Sequence, residues 1–173
     1  MVDLASKIRD IPDFPKRGIV FKDIMPLLGD EATFRETVDL LADWIEPRKP
    51  DVILGAEARG FILGAALAYR LHCGFVPARK PGKLPWRTVS AKYALEYGFD
   101  ALELHADAIR PGARVLIHDD LLATGGTARA KVDLVEQLGG EVVGLAFVIE
   151  LEFLQGRERL EGYDVFSLIK YGE

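Results

Sequence analysis

At 173 residues the chain has room for one domain with a sizeable buried core, and 49% apolar with 28% charged residues is ordinary for a soluble globular protein. A formal net charge of −5 argues against nucleic acid as the main partner, because affinity there rests on neutralising phosphates. The single cysteine, Cys73, excludes an internal disulfide and fits a reducing cytoplasm, and no apolar run approaches the ~20 residues of a membrane span.

Leu4 to Arg9 is expected to form a short helix, stopped by Pro12 and Pro15, with Phe14 to Asp23 a loop-rich entry segment. Ala32 to Ile45 reads as an amphipathic helix, with Phe34, Val38, Leu41, Ala42 and Ile45 on one face and Pro47 ending it. Val52 to Ala56 is an apolar strand, followed by a helix from about Gly60 to Leu71, a buried Cys73, and a second strand from Gly74 to Ala78. Residues 79 to 92 are polar, basic and broken by prolines and glycine, which predicts a long loop. Ala101 to His105 alternates like a half-exposed strand. Further strands are expected from Arg114, over Glu141 to Glu150 and over Tyr163 to Ile169, with a helix from Ala128 to Leu138. Strands alternating with helices imply an α/β domain with a mainly parallel sheet flanked by helices, residues 1–173 forming a single unit. In such sheets ligands sit at the carboxyl ends of the strands.

Arg114 to Thr127 (RVLIHDDLLATGGT) is the most informative stretch. An apolar strand ends in two carboxylates, and a glycine turn then feeds a helix. Such a turn leaves backbone N–H groups unpaired at the positive end of a helix dipole, a site for a phosphate. Carboxylates accept hydrogen bonds and cannot donate them, so Asp119 and Asp120 suit hydroxyl groups. Hydroxyls on one side and a phosphate on the other describe a phosphorylated sugar. The chain carries neither G-x-x-x-x-G-K-[ST] nor G-x-G-x-x-G after a strand, which excludes two common phosphate loops.

The segment resembles the 5-phosphoribosyl 1-diphosphate (PRPP) signature of type I phosphoribosyltransferases. Ile8 to Pro15, Gly18 to Asp23 (GIVFKD), Glu57 to Phe61 (EARGF), Arg79 to Pro85 (RKPGKLP) and Leu95 to Gly98 (LEYG) narrow the resemblance to the adenine-specific branch. It implies the fold of that family, with an N-terminal base-binding segment and a flexible lid loop, and AMP formation from adenine and PRPP. It also implies Mg2+ bound mainly through PRPP, and a homodimer.

By that resemblance Asp119 and Asp120 hold the ribose hydroxyls, and Ala123, Thr124, Gly125, Gly126 and Thr127 wrap the 5′-phosphate. Arg59, Arg79 and Lys83 meet the diphosphate, and Ala58 stands where many relatives have serine. Adenine lies between Phe21 and Leu121, read by Val20, with Lys22 where many relatives carry arginine. Glu96 is the candidate general base. Trp86 and Arg87 depart from the family pattern, and so does His118, whose strand position predicts a satisfied core histidine. Rival readings are transfer to xanthine, guanine or orotate, and a PRPP-sensing regulatory domain.

Overall fold

The computed structural model describes residues 2–95 and 97–173. It comprises two compact units, Met1–Leu40 and Leu41–Glu173.

In the first unit, β1 (Arg9–Pro12) and β2 (Val20–Asp23) form an antiparallel hairpin, with Ile11 opposite Phe21. The expected Leu4–Arg9 helix shrinks to a 3-10 turn at Ala5–Lys7, and the loop-rich segment contains β2. Arg9 to Pro12 finds its strand partner across the turn, a pairing that single-segment periodicity does not reveal. Helix α1 (Met25–Gly29) follows, and the boundary between units falls within α2 (Glu31–Ile45). Thr33 and Thr37 are buried on α2 where Phe34 was expected. Their hydroxyls donate to the carbonyls of Leu27 at 2.8 Å and Thr33 at 2.7 Å, which removes the penalty of burying them.

The second unit is built on an all-parallel sheet of β3 (Val52–Ala56), β4 (Gly74–Ala78), β7 (Arg114–Leu122), β8 (Glu141–Leu151) and β9 (Val165–Tyr171), in the order β4-β3-β7-β8-β9. Helix α3 (Arg59–Leu71) crosses from β3 to β4, and α4 (Gly126–Gln137) from β7 to β8. β5 (Thr88–Leu95) and β6 (Gly98–His105) form an antiparallel hairpin. The expected 79–92 loop is thus shorter, because Thr88 to Lys92 pair with the alternating strand Ala101 to His105. Leu54, Val115, Ile117, Leu145 and Phe147 bury one sheet face against Val132 and Val135 of α4 and Leu102 and Leu104 of β6. Cys73 is half-buried, and burial pushes its thiol up.

Candidate active site

β7 carries Asp119 and Asp120 near its carboxyl end. Adjacent strand residues point to opposite faces, so the two acids meet cations from different helices. Asp119 accepts from Lys131 Nζ of α4 at 2.6 Å through Oδ2, and from the Asp120 backbone N–H at 3.0 Å through Oδ1. Asp120 Oδ2 meets Nε of Arg59, the first residue of α3, at 2.8 Å. A Cβ added at Gly60 would lie 2.9 Å from Asp119 Oδ1, so the residue after Arg59 must lack a side chain for the acid to sit there. Burial opposes the charge of Asp119, but Lys131 holds it below the usual carboxylate range. Burial and the neighbouring Asp119 push Asp120 up to about 7, against the pull of Arg59.

Beyond the acids the chain turns at Gly125, whose φ of +84° is a left-handed conformation that only glycine adopts without cost. Among the described residues no side chain caps α4, which leaves its first N–H groups for a ligand. The turn is buttressed from behind. A Cβ on Gly125 would come 2.4 Å from the Gly156 carbonyl, and one on Gly156 would come 2.3 Å from that of Ala123. Arg157 anchors this buttress, donating to both oxygens of the buried Glu150 at 2.6 and 2.8 Å and to the Val165 carbonyl at 3.0 Å.

A cavity of about 280 Å³ gathers Glu57, Ala58, Arg59, Asp119, Asp120, Leu121 and the whole Ala123–Thr127 turn. Lys80, one of the five basic residues between positions 79 and 92, also lines it, and so does Tyr93, which sequence reasoning did not single out. Arg79 and Lys83 do not. Arg79 Nε donates to Glu57 Oε1 at 3.2 Å, and Lys83 is exposed on a turn. The basic segment is therefore met by acids from elsewhere: Glu57 takes Arg79 and the Lys80 N–H, and Asp100 takes the Lys80 ammonium. Glu57 is held below its ordinary range chiefly by the Lys80 N–H. In the first unit Val20 is exposed, Phe21 packs edge-on to Phe14 at 5.2 Å, and Lys22 Nζ donates to Asp10 at 2.7 Å. Glu96 lies outside the described residues. Lys131 is the residue that sequence reasoning missed. Its signal was a cation between Ala128 and Val135, at the three- and four-residue spacings of the helix's apolar face.

His118 is fully buried and only half satisfied. Nδ1 donates to the Ala146 carbonyl at 2.9 Å, while among the described residues Nε2 finds no partner. Burial, with Lys131 nearby, lowers its pKa to about 4, although Asp119 pulls upward. An unfolded histidine titrates near ~6.5, so the unfolded state binds the proton first. The stability held at neutral pH is lost as pH falls from about 6.5 towards 4, by at most roughly 3 kcal/mol. His118→Leu is expected to flatten that part of the acid slope. Denaturant unfolding of both proteins between these pH values checks it, and parallel slopes would refute it.

Comparison with known proteins adds to this geometry. The family described as "Phosphoribosyl transferase domain" matches residues 30–171. The adenine phosphoribosyltransferase of Thermotoga neapolitana is 59% identical over 170 residues, covering 98% of this chain and 100% of the relative. The crystal structure of adenine phosphoribosyltransferase from Thermoanaerobacter pseudethanolicus superposes with a TM-score of 0.95 at 58% identity, covering 97% and 98% of the two chains. That of the Saccharomyces cerevisiae enzyme, complexed with an imino-altritol bisphosphate and adenine, gives 0.92 at 42% identity, covering 95% and 96%.

Proposed function

The chain belongs to the phosphoribosyltransferase family, among the adenine phosphoribosyltransferases, and we propose on that premise that it converts adenine and PRPP to AMP and diphosphate. One observation carries the reading: the paired acids and the uncapped glycine turn share one cavity, a hydroxyl clamp beside a phosphate cradle. Adenine as the incoming base rests on the full-length likeness to enzymes of that name.

In this reading Asp119 and Asp120 accept from the ribose hydroxyls, the Ala123–Thr127 turn holds the 5′-phosphate, and Arg59 faces the diphosphate. The C1–oxygen bond to diphosphate breaks through an oxocarbenium-like state as N9 of adenine bonds to C1. Positioning and charge on the leaving group contribute most. Val20, Phe21, Lys22 and Leu121 take the base, and Glu96 accepts the proton that N9 releases. Glu96→Gln should then lower kcat about 10²-fold. A Mg2+ would be held mainly through PRPP, whose anionic phosphate oxygens suit that hard cation. When bound it offsets charge developing on the diphosphate.

The segment 79–92, with Arg79 and Lys83, is the proposed lid, and slower proteolysis there with PRPP and Mg2+ checks it. A homodimer is supported by Ile62 and Tyr69, exposed seven residues apart on α3, and sedimentation as a 19.1 kDa species would exclude it. Among the described residues no helix is long and apolar enough to cross a membrane, and the lone thiol suits a reducing cytoplasm.

The decisive assay is diphosphate release with adenine, guanine, xanthine and orotate in turn. Turnover with adenine at least about 100-fold above the others is expected. Comparable turnover with another base would overturn the specificity, and PRPP binding without turnover would point to a sensor.

A further inference from the structure

We propose that Lys131 is a positioning residue for the sugar site, locking the Asp119 carboxylate and tying the start of the 119–127 segment to α4. Its side chain has no exposure to solvent, and its ammonium lies 2.6 Å from Asp119 Oδ2. The surrounding face of α4 is small and apolar, with Ala128, Val132 and Val135 all buried. A buried ammonium is costly there unless its partner compensates, and Asp119 is the acid it meets.

The geometry leaves Asp119 little freedom. Lys131 takes one oxygen, the Asp120 N–H takes the other, and the Gly60 backbone closes the space beside it. Asp120 is held differently, because Arg59 is about a third exposed and can turn towards an incoming anion. Lys131 has no such exit. One acid is therefore preorganised whether or not substrate is present, while the other exchanges its partner. The pair also spans the whole turn, joining residue 119 on β7 to residue 131 on α4.

The inference rests on the PRPP reading, and the test separates the two. Michaelis constants for PRPP and adenine are measured for the wild type, Lys131→Met, Asp119→Asn and the double variant. Lys131→Met should raise KM for PRPP about 10-fold or more and leave KM for adenine within about twofold. On the Asp119→Asn background it should change KM for PRPP by less than about twofold, since its route of action is already gone. A KM for PRPP near wild type in Lys131→Met, or additive losses in the double variant, would overturn the inference. If Lys131→Met does not fold, the double variant against Asp119→Asn decides, because it leaves no buried charge unpaired. A wild type without PRPP-dependent turnover overturns the functional reading itself, and the inference with it.

Discussion

Asp119→Ala combined with Asp120→Ala is expected to cut AMP formation about 10²–10⁴-fold. A hydrogen bond to a charged group is worth about 1.5–3 kcal/mol, and two are lost from groups that orient the reacting sugar. The structure adds a second consequence. Removing Asp119 leaves Lys131 buried without its acid, at a cost of about 3–5 kcal/mol, so the alanine pair should also melt earlier. Asp119→Asn with Asp120→Asn keeps the shape and a neutral acceptor for Lys131, and so removes the cavity and the missing hydrogen bond but not the loss of the counter-charge. It should melt closer to the wild type and still lose most of its activity. Turnover within about threefold of wild type in either variant would remove these acids from the site.

Gly125→Ala is expected to raise KM for PRPP about 100-fold and to lower the melting temperature. A non-glycine residue at φ +84° is strained, and the new methyl would stand 2.4 Å from the Gly156 carbonyl, where no real Cβ sits. Both obstacles are backbone, so the turn must move. Strain and displacement together cost about 3 kcal/mol, which is the hundredfold. Steady-state kinetics and a thermal melt check this, and an unchanged KM for PRPP would show that the turn does not hold the phosphate.

Much of this was legible in the chain. Arg114 to Leu122 and Glu141 to Leu151 are long apolar runs bounded by glycines and charges, and buried parallel strands announce themselves that way. The two acids, the glycine turn and Arg59 are contiguous motifs, and the cavity collects all of them. The β1–β2 and β5–β6 hairpins were less legible, because a short strand is stabilised by a partner that its own periodicity does not name. Among the basic residues the sequence offered five equivalent charges. Folding distinguished them by handing Arg79 to Glu57 and Lys80 to Asp100.

The sequence by itself determined which groups meet a sugar phosphate, because acceptor-only side chains and a glycine-led helix start are local chemistry. The tertiary structure alone decided how the two neighbouring acids differ. Strand alternation sends Asp119 to a buried lysine on α4 and Asp120 to a partly exposed arginine on α3. A lysine twelve residues away holds Asp119 ionised, whereas burial and Asp119 itself raise Asp120 against an arginine sixty-one residues away. Only packing brings charges at such separations into contact.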